Sequence, residues 1–195
     1  AVRKTALELL LSDHVGDCEA PCRISCPAHM NIPLMNRLLA AGRTDQALEV
    51  VRRDIILPST LGRICSAPCE GACRRKPMDD AVSICTLKRF AGDHGQIPVA
   101  APPPLIPGRK VAIIGGGPAG LSAGFYLRQK GYACVILERN TVAGGALMSS
   151  IPDEKLDKEV LQREIRIIRE SGVEFRMESS IDADAFRRLH REYDA

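Results

Sequence analysis

No stretch of the 195 residues reaches the roughly 18 consecutive apolar positions of a membrane-spanning helix. The first residues also lack the charged start, apolar core and small-residue cleavage site of a secretory signal. A large charge of either sign is missing too: the formal net charge is +3, and basic clusters such as Arg74, Arg75 and Lys76 are short and read as solvated faces. Nucleic-acid binding and membrane insertion are therefore excluded from the expectation, and a cytoplasmic protein is expected. Solenoid repeats are absent, as is low complexity outside one proline-rich stretch. An initiator methionine is missing, and the chain stops at Asp194-Ala195 after a helical pattern, so a fragment is expected.

What remains is the composition of an ordinary globular chain, 45% hydrophobic and 26% charged, long enough for one or two domains. Eight cysteines would suggest disulfides in a small secreted protein, but the nucleotide-binding turn described below places the chain in a reducing compartment. Seven of them lie between Cys18 and Cys85. Cys134 sits apart in the apolar run Ala133 to Leu137 and is expected to be a buried core thiol.

The periodicity predicts two kinds of half. In the first, helices are expected at Val2 to Leu11, Ile32 to Ala41 with Gly42 at its end, Thr44 to about Arg53, and Ala81 to Ala91 with Gly92 beyond it. Pro58 and Gly62 are read as breaks. Gln96 to Gly108 is too proline-rich for a helix or a central strand and marks a boundary. The pattern then turns to strand (Lys110 to Ile114), helix (Pro118 to Lys130) and strand (Tyr132 to Glu138). A long helix carrying Leu156, Val160, Leu161, Ile165 and Ile168 follows and ends at Gly172, before a strand at Val173 to Met177 and a helix near Asp184 to Arg191. The next strand is expected to be missing. The fold class is thus α + α/β: a helical domain over 1–95, a linker over 96–109, and the first half of a Rossmann-like domain over 110–195.

Cys18, Cys22 and Cys26 are spaced by three residues; Cys65, Cys69 and Cys73 repeat that spacing, and Cys85 follows. Iron–sulfur clusters take four soft, deprotonated ligands each, commonly from closely spaced runs plus one distant residue. Seven cysteines are one ligand short of two 4Fe-4S clusters, and His14, four residues before Cys18, is the candidate eighth. In two-cluster ferredoxins the cysteine before a proline serves the other cluster, and Pro27 follows Cys26. That logic groups His14, Cys18, Cys22 and Cys73 around one cluster, and Cys26, Cys65, Cys69 and Cys85 around the other. The competing reading is zinc, which also takes thiolate and imidazole but favours paired knuckles over triplets. On that reading the chain is a zinc-stabilised docking module fused to an NAD-binding Rossmann unit.

Gly115-Gly116-Gly117-Pro118-Ala119-Gly120 matches G-x-G-x-x-G between an apolar strand and a helix. In this context Gly115 permits the tight turn, Gly117 lets backbone approach a pyrophosphate, Gly120 permits close packing, and the helix amides beyond Pro118 and Ala119 face the anion. Glu138, with Arg139 beside it, ends the second strand and can accept hydrogen bonds from both hydroxyls of an adenosine ribose, which disfavours a 2′-phosphate. FAD or NAD is expected there. Gly144-Gly145 would bring more backbone to the same ligand and favours FAD, which extends further along the sheet.

Taken together, Ala-Pro-Cys22 to Cys26-Pro, Gly-Arg-Ile-Cys65 to Cys69-Glu-Gly-Ala-Cys73, Ala-Val-Ser-Ile before Cys85, Gly-Gly-Gly-Pro-Ala-Gly and Ala-Gly-Gly145-Ala146-Leu147 resemble the small subunit of glutamate synthase and the N-terminal part of dihydropyrimidine dehydrogenase. The resemblance covers nearly the whole chain. It implies two 4Fe-4S clusters in a helical domain beside an FAD domain, an NAD(P)H-binding domain in the part not present here, and electron transfer to or from a partner subunit of a larger complex.

Three departures stand out. Val15 occupies the place of the family's first cluster cysteine, with His14 beside it, and Leu9 to Cys18 is similar to the join after a 2Fe-2S domain in the iron–sulfur subunit of NADH:quinone oxidoreductase, where a histidine ligates a cluster. An upstream 2Fe-2S domain is expected on that basis. Lys88 stands where the family often has a carboxylate or amide ligand; an ammonium cannot ligate, so Cys85, one turn earlier, takes the role. Lys155 replaces an arginine that approaches FAD, which keeps a cation but loses bidentate geometry.

Overall fold

The computed structural model describes residues 2–12, 19–98 and 101–195. The first half is helical: α1 (Val2–Ser12), α2 (Pro21–Ile24), α3 (Ile32–Ala40), α4 (Thr44–Arg52), α5 (Pro58–Ile64), α6 (Pro68–Gly71) and α7 (Ile84–His94). The second alternates: β1 (Lys110–Ile114), α8 (Pro118–Gln129), β2 (Ala133–Leu137), α9 (Ala146–Ser149), α10 (Lys158–Glu170), β3 (Glu174–Arg176) and α11 (Ala183–Glu192). The three strands form a parallel sheet in the order β1-β2-β3, as a Rossmann start requires.

Two sequence expectations fail, and for one reason. Pro58 and Gly62 do not break the chain but belong to α5, with Pro58 in the first turn, where its missing N–H costs nothing. Gly92 lies inside α7, which begins only at Ile84 and runs to His94. Both glycines serve a crossing. A Cβ on Gly62 would lie 2.5 Å from the Cβ of Arg89, and one on Gly92 would lie 2.6 Å from Ser59 Oγ and 2.7 Å from Ser59 N. The α5 and α7 backbones approach too closely for any side chain between them. Arg63 locks the crossing, donating from both terminal nitrogens to the two Asp93 oxygens at 2.9 Å.

Two apolar clusters result. One, containing Met30, Ile32, Met35, Leu38, Val51 and Ile84, is internal to the helical half. The other is the Rossmann core, with Leu121, Ile136, Leu161 and Ile168, and it draws Ile56 and Leu57 from the helical half. The proline-rich stretch runs along the Rossmann face: Pro103 O accepts from Arg128 at 2.9 Å, and Ile106 N donates to Gly131 O at 2.8 Å. Cys134 is buried on β2, as expected.

The last two residues lie against the free edge of β1. On the side of β1 opposite β2, Asp194 N donates to Lys110 O at 2.9 Å and Ala112 N donates to Ala195 O at 2.8 Å.

Candidate functional site

Each cysteine triplet carries the same local device. Ala20-Pro21-Cys22 and Ala67-Pro68-Cys69 each open a four-residue helix with proline in its first turn, α2 and α6, and the two helices touch. Ala67 enters α6 at φ 53°, a left-handed conformation that costs a residue with a Cβ about 1–2 kcal/mol. Its amide is thereby turned toward Cys65 Sγ, at 3.4 Å. Glu70 fastens α6 to the start of α7 by accepting from Cys85 N at 2.8 Å.

Cys26, Cys65, Cys69 and Cys85 line one cavity of about 300 Å³, with Met30, Ile32 and Leu57 among its apolar walls. One cysteine of the first triplet, two of the second and the distant Cys85 thus share a cavity wall. Burial pushes the Cys69 thiol up to about 11, and burial likewise raises Cys85, against the nearby charge of Lys88. Among the described residues no three Cys, His, Asp or Glu side chains converge on the position of one metal ion. Burial raises Cys22, with the Cys73 and Cys26 charges adding to the rise, while the amides of Val82 and Arg75 lower the more open Cys73. Their expected companions, His14 and Cys18, lie outside the described residues.

The cavity reaches the Rossmann half, since Ser122 of α8 lies on its wall. One turn earlier α8 begins at the glycine-rich turn. Gly115 adopts φ +97°, where L side chains are strained, and a Cβ on Gly120 would run into the Gly115 carbonyl oxygen. Gly145, at φ +52°, packs on the turn so closely that a Cβ there would lie 2.9 Å from Gly117 Cα, and Gly144 N donates to Gly116 O at 2.8 Å. The two glycine turns form one backbone cradle at the N-terminus of α8, beside Pro118 and Ala119.

Glu138 closes the cradle. Only 4% exposed, it accepts from Gly116 N at 2.7 Å through one oxygen and from Asn140 N and Nδ2 at 2.9 and 2.8 Å through the other. Burial alone would raise its carboxyl; these donors overcome it and hold the group below its ordinary value.

The remaining predicted residues divide. Arg139 and Ala146 are exposed at the cradle's edge, while Leu147 points its side chain into the core and leaves only backbone for a ligand. Lys155 is exposed. The cation that braces this segment is instead Lys158, which donates to Leu147 O at 3.1 Å and to Ile151 O, and pairs with Asp153. Sequence reasoning also passed over Glu164 of α10, which reaches across to accept from Ser59 N at 2.7 Å and Thr60 N at 3.0 Å. No periodic signal marks it, because its position on α10 reads as part of the core face.

Residues 13–97 match the family model of dihydropyrimidine dehydrogenase domain II, 4Fe-4S cluster, and residues 113–179 that of the NAD(P)-binding Rossmann-like domain. Over 90% of its length the chain is 40% identical to NADPH-Fe(3+) oxidoreductase subunit beta of Geobacter sulfurreducens, covering 27% of it. It is similar to the glutamate synthase [NADPH] small chain of Bacillus subtilis, at 37% identity over 86% of this chain and 37% of the relative. It is also 37% identical to NADP(+)-dependent formate dehydrogenase subunit beta of Moorella thermoacetica, over 90% of this chain and 28% of the relative. The chain spans well under half the length of these relatives. Its helical 4Fe-4S domain precedes its Rossmann-like domain, the order expected from the motifs.

Proposed function

We propose that this chain is the cluster-bearing and FAD-binding portion of an NAD(P)H-dependent oxidoreductase subunit, passing electrons between NAD(P)H, FAD and two 4Fe-4S clusters to or from a partner subunit. The observation that carries it is the meeting of Cys26, Cys65, Cys69 and Cys85 around one cavity whose wall includes α8, the helix whose N-terminus bears the glycine cradle. When bound, FAD exchanges a hydride's two electrons with the nicotinamide, and the clusters carry electrons one at a time.

The chain's own residues hold and orient. Cys26, Cys65, Cys69 and Cys85 are the proposed ligands of one cluster, and His14, Cys18, Cys22 and Cys73 of the other. Deprotonation of the buried thiols accompanies ligation, so assembly releases protons. The amides of the first turn of α8 face the pyrophosphate, Gly117 and Gly145 admit it without side chains, and the free lone pairs of Glu138 accept the ribose hydroxyls. Arg139, Ala146, Leu147 and Lys155 border the same ligand. The domains are taken as 1–95 and 110–195 joined by 96–109, the NAD(P)H site and an upstream 2Fe-2S domain as lying outside the chain, and the compartment as the reducing cytoplasm.

Anaerobic purification of the full-length protein tests this. The expected product is brown, absorbs broadly near 400 nm, carries about eight irons per copy of this region and releases yellow flavin on denaturation. Colourless protein with stoichiometric zinc would overturn the cluster assignment, and release of NAD in place of flavin would overturn the FAD assignment.

A further inference from the structure

Lys88 lies one turn after Cys85 on α7, is 5% exposed, and lines the same cavity as Cys26, Cys65, Cys69 and Cys85. Among the described residues its ammonium makes no hydrogen bond or ion pair; the interaction it does make is electrostatic, with the Cys85 sulfur. The carboxylate on the same wall, Asp54, faces the charges of Arg23, Arg53 and His29. Lysines are seldom this buried unless paired, and the groups that share its cavity are the four thiols of Cys26, Cys65, Cys69 and Cys85.

We infer that Lys88 is the resident counter-cation of the cluster held by Cys26, Cys65, Cys69 and Cys85, and that it raises that cluster's reduction potential. The inference rests on the cluster assignment proposed above. A cluster with four thiolates is anionic, and uptake of one electron from a one-electron donor such as reduced flavin adds one negative charge with no proton required. A fixed positive charge on the wall of the same cavity, among Met30, Ile32 and Leu57, stabilises the reduced form more than the oxidised one. Lys88 is thus a positioning residue for charge, sharing the cavity of the ligand sulfurs and acting on the cluster whose cavity reaches α8.

Redox titration of the full-length protein, followed by electron paramagnetic resonance with iron counted in parallel, tests the inference in Lys88→Met, Lys88→Leu and Lys88→Arg. In the Met and Leu variants one of the two cluster signals is expected to lose about tenfold in its reduced-to-oxidised ratio at fixed potential, a shift of about 59 mV for one electron, while the other holds. The Arg variant is expected to stay near the unsubstituted protein. Full iron with neither signal moved, or both moved equally, would overturn the role, as would an Arg variant that shifts like Met. If Met and Leu lose the cluster, retention in Arg alone supports the requirement for charge, and loss in all three overturns it. Unsubstituted protein without cluster iron would instead sink the cluster assignment itself, an outcome distinct from any Lys88 effect.

Discussion

Glu138 shows how a single carboxylate can be committed before any ligand arrives. Its two oxygens take three donors from Gly116 and Asn140, which ties the end of β2 to the glycine turn. Because those donors depress its folded pKa, its contribution is present above the ordinary carboxyl range near 4.3 and is lost as pH falls through the depressed value. Glu138→Gln places an amide donor against an amide donor. The expected result is a loss of about 1–3 kcal/mol at neutral pH and a flatter acid limb in urea melts run across pH. An acid limb identical in the two proteins would show that the charge of Glu138 does not contribute.

At the scale of elements, the decisive feature is the α5–α7 crossing. Cys65 caps the end of α5 and Cys85 sits in the first turn of α7, so the angle between these helices sets how two of the four cavity thiols face each other. Gly62 and Gly92 permit that contact, and Arg63 with Asp93 holds it. Gly92→Ala is therefore expected to prise the helices apart, lowering the melting temperature and the iron content together. Gly71→Ala is the control: in α6 a Cβ meets nothing within 4 Å, and replacing a glycine there is expected to be neutral or to stabilise by a few tenths of a kcal/mol to about 1. Matched iron contents in the two variants would argue that the crossing does not position the thiols. Sequence patterning took Gly62 and Gly92 for helix breakers because a glycine that permits contact looks identical to one that ends a helix; only the partner backbone distinguishes them.

On the scale of the whole molecule, the two halves share more than a linker. Ile56 and Leu57 belong to the Rossmann core, Tyr126 donates to Arg52 O at 3.1 Å, and Glu164, 4% exposed, caps the first amides of α5. Burial pushes the Glu164 carboxyl above its ordinary range, against the Thr60 and Ser59 amides and the Arg52 charge. Glu164→Ala removes the acceptor and leaves two buried amides and Arg52 uncompensated. We expect it to cost about 1–3 kcal/mol and to split calorimetric unfolding into two transitions, with cluster bleaching preceding loss of the Rossmann half. A single transition at an unchanged temperature would mean that the cap does not couple the halves.

The sequence by itself determined the architecture and the chemistry of the donors. Cysteine spacing, the glycine turn between strand and helix, and Glu138 at the end of β2 are local patterns, set by ligand valence and backbone sterics, and they are readable without coordinates. The sequence also placed Cys26 with Cys65, Cys69 and Cys85, and these four line one cavity. Tertiary structure alone decided the rest: that Lys88 is buried beside those thiols with no hydrogen bond or ion pair among the described residues, that Lys158 donates to the backbone of the segment after Gly145, and that Glu164 bridges more than a hundred residues to cap α5. Each depends on charge or acceptor capacity meeting a distant backbone. Burial and partnership are properties of packing, which no run of neighbouring residues encodes.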